Sequence, residues 1–130
     1  MPRQLFVNLP IRNMEASQGF FRQLGFDFNP QFTSEQGACM VLSDNHSYVM
    51  LLVEPFFQTF TTKPVADARV ATEVLLCFSC DSRAEVDDMV CRALAAGGTA
   101  PNPPQDHGFM YSHGFTDLDG HVWEVFWMSH

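Results

Sequence analysis

From Leu5 to Ile11 the chain alternates, with aliphatic residues at 5, 7, 9 and 11 and Phe6, Asn8 and Pro10 between them. Alternation with period two predicts a β-strand with two distinct faces. Asn13 is a helix N-cap candidate, and Met14, Ser17, Phe20, Phe21 and Leu24 recur at helical spacing before Gly25 closes the turn. Phe26–Thr33, Ala38–Ser43 and Tyr48–Glu54 are expected as three more strands, with turns at Gln36-Gly37 and Asp44-Asn45.

After residue 72 the plan restarts. Val74, Leu76, Phe78 and Cys80 form one face of a strand, and Glu73, Leu75, Cys77 and Ser79 form the other. Ser82 with Glu85 makes a capping box, and Val86, Met89, Val90, Ala93 and Leu94 form an apolar helical stripe that Gly97-Gly98 ends. Strand-like pieces follow near 99–106, 108–116 and 121–128, the first weakened by Pro101, Pro103 and Pro104. A β-α-β-β-β order thus occurs twice, offset by about 69 residues, so that Asn13 falls on Ser82 and Ile11 on Cys80. The expected organisation is one domain over 1–130: a first module over about 1–55, a connector over 56–72 and a second module over about 73–130. The connector carries Phe56, Phe57 and Phe60, which either cap a cavity or pack on a sheet edge or a second subunit.

The last strand holds the most informative residue. Asp119-Gly120 is a turn signal, and Val122, Glu124 and Phe126 share a strand face opposite Trp123, Val125 and Trp127. One carboxylate therefore stands on an otherwise apolar surface. Glu124 is either a solvated acid at a wide cavity mouth or a partly buried group that orients a ligand or acts as a general base.

Composition narrows the classes. With 46% hydrophobic and 17% charged residues the chain can build a sizeable core. Seven basic against fifteen acidic side chains leave a net charge of −8, which disfavours nucleic acid and anionic membranes. Cys39, Cys77, Cys80 and Cys91 show no disulfide framework; Cys77 and Cys80 have C-x-x-C spacing inside a strand, where they point to opposite faces. No apolar run spans a bilayer and no signal peptide is recognisable, so a cytoplasmic location is expected. The glycines form no phosphate loop, and no Gly-x-Ser-x-Gly elbow occurs.

The doubled module, the Phe20-Phe21-x-x-Leu24-Gly25-Phe26 helix ending and the Asp117-x-Asp119-Gly120-His121-x-Trp123-Glu124 finish resemble the vicinal oxygen chelate superfamily. That group includes glyoxalase I, bleomycin resistance proteins, fosfomycin resistance enzymes and extradiol dioxygenases. The resemblance covers essentially the whole chain. It implies an α+β fold of two βαβββ modules whose sheets curl around a concave cavity, and a homodimer. In metal-using members the first and last strands of each module supply the ligands. Motif alignment places those positions at Phe6, Leu51, Leu75 and Glu124, or at donors one or two residues away such as Asn8, Glu54 or Glu73. Three hydrocarbon side chains and one acid cannot hold a divalent cation, so no cofactor is expected.

Three functions remain open. The first is a metal-free binder of a small, partly apolar molecule, lined by Phe6, Asn8, Leu51, Leu75, Cys77, Tyr111 and Phe126 with Glu124 as anchor. The second is a lyase, isomerase or dioxygenase that uses Fe, Ni, Mn or Zn on noncanonical ligands, Glu124 with His107 or His113. The third is an interaction module with a filled cavity. Of the remaining late histidines, His121 is expected at the turn near Asp117 or Asp119, and His130 ends the chain.

Overall fold

The computed structural model describes residues 3–129, so His130 lies outside the described residues. The chain divides between Ala66 and Asp67 into two compact units. This places the division inside the segment read as a connector.

In the first unit, β1 (Leu5–Ile11) leads into α1 (Met14–Gln23). Asn13 caps α1 by accepting a hydrogen bond from the Ala16 amide at 3.0 Å. Gly25, at φ +99°, takes the left-handed conformation that ends it. β2 (Asp27–Phe28), β3 (Gly37–Ser43) and β4 (Ser47–Val53) complete a sheet of order β1-β4-β3-β2. The expected strand over Phe26–Thr33 is only two residues long. Pro30 has no N–H for a ladder, and Asn29 instead accepts from the Gln31 amide to start a 3-10 turn over Pro30–Phe32. Leu9, Ile11, Val49, Leu51, Ala38 and Met40 are buried together with Phe20, Phe21 and Leu24 of the helix. The residues after β4 form a short helix, α2 (Glu54–Phe57), and a 3-10 turn in which Phe56 and Phe60 meet edge to face at 5.1 Å.

The second unit repeats the plan. β5 (Leu75–Ser79), α3 (Arg83–Ala95), β6 (Gln105–Asp106), β7 (Met110–Thr116) and β8 (Val122–Met128) give the order β5-β8-β7-β6. In both sheets the first and last strands run parallel side by side in the same way. The Ser82 hydroxyl accepts from the Glu85 amide at 3.0 Å, and the Glu85 carboxylate reaches back to the Asp81 amide at 2.6 Å. α3 buries Val86, Val90 and Ala93. Leu94, expected on the same stripe, is exposed. Its position one residue past Ala93 turns it about 100° away from the sheet. Trp123 is fully buried, stacked on Phe115 and edge-on to Phe78. Among the described residues, no helix is long and apolar enough to cross a membrane.

Candidate ligand-binding site

Strand register assigns the faces of the second sheet. On central β8, Glu124 is flanked by Cys77 of β5 and Gly114 of β7. Leu75, Ser79, Val122, Phe126, Ser112 and Thr116 share that face by alternation. Leu76, Phe78, Trp123, Val125, Tyr111 and Phe115 take the other face, on the side of α3.

The Glu124 face opens into a cleft of about 180 Å³, bounded by Pro101, Pro103, Gln105, Ser112, Thr116 and Val122. The glycine at 114 keeps it open. A Cβ there would stand 3.3 Å from the Glu124 carboxylate and 3.1 Å from the Trp123 carbonyl oxygen. The Cys77 thiol is pushed up by burial first and by the Glu124 carboxylate second. Cys80, at the end of the same strand, is pushed up to about 11 by burial and by Glu85 and Asp81. Both thiols are thus held protonated, and the C-x-x-C spacing carries no thiolate chemistry.

Behind the strand, the turn is built around Asp117. Its Oδ1 accepts from the backbone amides of Asp119 and His121, and its Oδ2 accepts from the Trp123 indole N–H at 3.0 Å. Burial nonetheless raises the Asp117 carboxyl, and a neighbouring His121 opposes the rise. Gly120, at φ +89°, lies so close to the chain at Ala68 and Arg69 that a Cβ would come within 2.8 Å of the Arg69 nitrogen. The Asp-x-Asp-Gly-His-x-Trp sequence is therefore a structural lock. It fixes the strand that carries Glu124.

Two of the expected lining residues lie elsewhere. Leu51 is fully buried on the core face, in register with Leu9. The face that carries Phe6 and Asn8 continues through Tyr48, Met50 and Leu52. Met50 pairs with Asn8 as Glu124 pairs with Cys77, so Met50 is the counterpart of Glu124 in the first unit. Tyr111 is not a ligand handle either. Its hydroxyl donates to Asp87 of α3, which holds the phenol above its usual range, and Arg83 covers its ring at 5.2 Å. Arg83 also covers Trp127 and pairs with Asp106 at 2.7 Å, so this corner joins helix to sheet.

Of the two histidines proposed as partners of Glu124, His113 lines the same cleft and His107 does not. His113 pairs with Val125, on the opposite parity, and its Nε2 donates to the Asn102 carbonyl at 2.9 Å. The His107 amide bonds Met110, which pairs with Met128. That is four residues along β8 from Glu124, about 13 Å away. His121 is buried at the turn, as its parity implies.

The first unit by itself presents Phe6 stacked on Tyr48, with ring centroids 4.6 Å apart and planes 11° from parallel. Phe6 is 48% exposed, and Asn8 beyond it is also exposed.

A family model described as bleomycin resistance protein-like N-terminal matches residues 3–43. A hypothetical protein from S. aureus is 25% identical, with 97% of this chain and 94% of that chain covered and a TM-score of 0.81. A glyoxalase/bleomycin resistance protein/dioxygenase family enzyme from Burkholderia phytofirmans PsJN is 21% identical, over 95% and 96% of the two chains, at a TM-score of 0.77. The antibiotic binding protein TnmS3 from Streptomyces sp. CB03234 is 18% identical, over 99% and 98%, at 0.68. The chain has the vicinal oxygen chelate fold. No curated protein sequence matches it.

The positions that correspond to ligands hold Phe6 and Met50 in the first unit and Leu75 and Glu124 in the second. Within the first unit these positions offer one thioether and within the second one carboxylate, and a catalytic divalent cation takes about three hard or borderline donors. Among the described residues, no group of three or more His, Cys, Asp or Glu side chains is placed to hold a metal ion.

Proposed function

We propose that this protein binds a small, partly apolar molecule on the concave faces of its modules, in the manner of the bleomycin resistance type, and does so without the usual metal. One observation carries the reading: Glu124 is the lone acid among ligand positions otherwise filled by Phe6, Met50 and Leu75. In each unit the corresponding face is suited to apolar contact with a polar anchor. In the first unit Phe6 and Tyr48 supply the contact and Asn8 the anchor; in the second Leu75 and Phe126 supply the contact and Glu124 the anchor. The similarity to TnmS3, an antibiotic binding protein, supports the same reading at the level of the fold.

The edge strands add an oligomer to the proposal. Leu5 and Phe6 on β1 and Leu75 on β5 are exposed apolar residues at sheet edges, which suits a homodimer. The location proposed is the cytoplasm, where four free thiols stay reduced.

The test is elemental analysis of protein purified without chelator, with native mass spectrometry for a retained small molecule. Substoichiometric Fe, Ni, Mn and Zn is expected. Near-stoichiometric metal that is lost in Glu124→Ala would overturn the reading in favour of the metal-dependent lyase or dioxygenase.

A further inference from the structure

We infer that the cleft around Glu124 is a subsite for an alkylammonium group, the protonated amine end of the bound molecule. This rests on the small-molecule reading above and names the chemistry of its polar end.

The first ground is charge. The cations of the second unit are Arg69, Arg83 and Arg92. Each is engaged away from the cleft: Arg69 with Asp67, Arg83 with Asp106, and Arg92 with Asp88. Glu124 forms no hydrogen bond or ion pair among the described residues. Its side chain is half-buried and lines the cleft beside the His113 ring, whose Nε2 donates to the Asn102 carbonyl. A carboxylate in a cleft that no Arg or Lys enters offers an unmatched negative charge to a cationic ligand group.

The second ground is size and lining. The cleft of about 180 Å³ is below the roughly 300–1,000 Å³ of pockets that hold a whole drug-sized ligand. It takes one end group. Ser112, Thr116 and Gln105, each with a neutral oxygen, line the same cleft, the Thr116 hydroxyl bonded to that of Thr99. An ammonium has three N–H donors and no acceptor, so one carboxylate and two neutral oxygens satisfy it. A divalent cation would leave most of its coordination sphere unfilled here. Leu75, Val122 and Phe126 lie on the same face and extend from the cleft as apolar support for the rest of the molecule.

The third ground is Gly114. Directly opposite Glu124, it leaves the carboxylate reachable, and any side chain there would crowd it. Gly114 is thus a specificity-determining position for the subsite.

The experiment is an amide-resolved NMR titration at pH 7 with three probes. These are 2-phenylethylamine, its neutral isostere 2-phenylethanol, and Nα-acetyl-lysine methylamide, which offers the same ammonium on a peptide stem. The amine should bind about tenfold tighter than the alcohol, as a charge-assisted bond requires. Its shifts should centre on Ser112, Gly114 and Glu124, and the preference should fall below about twofold in Glu124→Gln. Should Glu124→Gln not fold, Gly114→Ala keeps the carboxylate but crowds it, and should weaken the amine at least threefold. Equal binding of amine and alcohol, a preference that survives both variants, or no binding of the amine would each overturn the inference. Tighter binding of the lysine derivative would assign the cleft to a protein lysine and overturn the small-molecule form. Alcohol binding as tight as the amine's leaves the metal-free reading standing, whereas saturable metal uptake sinks that reading itself.

Discussion

Gly114 sits directly across the antiparallel β7–β8 pair from Glu124, and the space a side chain would occupy there is the space above the carboxylate. The Trp123 carbonyl closes the other side at 3.1 Å and, being backbone, yields little. Gly114→Ala should therefore lower stability by about 1–2 kcal/mol, the usual cost of overpacking a tight position. Urea denaturation followed through tryptophan fluorescence measures this; an unchanged midpoint would show that the two strands are further apart than described.

Cys77 reports on the same carboxylate from the other side. Burial and Glu124 both hold its thiol above the usual range. Removing the charge in Glu124→Gln should raise the thiolate fraction and speed alkylation of Cys77 by iodoacetamide at pH 8 about twofold or more. Peptide-mapping mass spectrometry separates Cys77 from Cys91, which is exposed as well, and from the buried Cys80, which at about 11 should stay unmodified in the folded protein. An identical Cys77 rate in both proteins would mean the two side chains do not face each other.

Asp117 links stability to pH. Its folded carboxyl lies above the unfolded value, with burial as the main cause. The folded state therefore binds that proton more tightly than the unfolded chain does. Its contribution is fully present below about pH 4 and is lost as pH rises through the folded value. Asp117→Asn should remove that pH-dependent component. It should also cost about 1–3 kcal/mol at neutral pH, because an amide that keeps both backbone donors turns its NH2 toward the Trp123 N–H. Thermal melts of both proteins from pH 4 to 8 test both parts; parallel curves would refute the linkage.

Gly120→Ala meets two obstacles at once, a left-handed backbone at φ +89° and the Ala68–Arg69 main chain within 3 Å. A loss of roughly 2–4 kcal/mol is expected. A fully native melting temperature in this variant would show that the contact is not made in solution.

Much of this was legible because certain residues label a strand face. Glu124 marks one face of its strand, so its neighbours follow by alternation, and the register bears this out. The capping residues Asn13 and Ser82 were equally readable, since their side chains act within three residues. Leu51 was misplaced because Tyr48 to Val53 is apolar throughout, and a run without polar residues does not reveal which parity faces the core. Only pairing with β1 resolves it, and that is a long-range fact. Tyr111 failed for a related reason. Its strand mixes aromatic, polar and glycine residues on both faces, and the deciding partner, Asp87, lies 24 positions away on a helix. Gly114 carries no local signal of its role, because nothing near it in the sequence shows that a carboxylate lies across the ladder.

The press of Gly120 on Ala68 and Arg69 bears on how the molecule could be divided. The second half owns a buttress that precedes its first strand, so a fragment starting at residue 73 would leave its final hairpin tip unsupported. One starting at Asp67 would carry the missing prop with it, and the seam of this doubled architecture runs there.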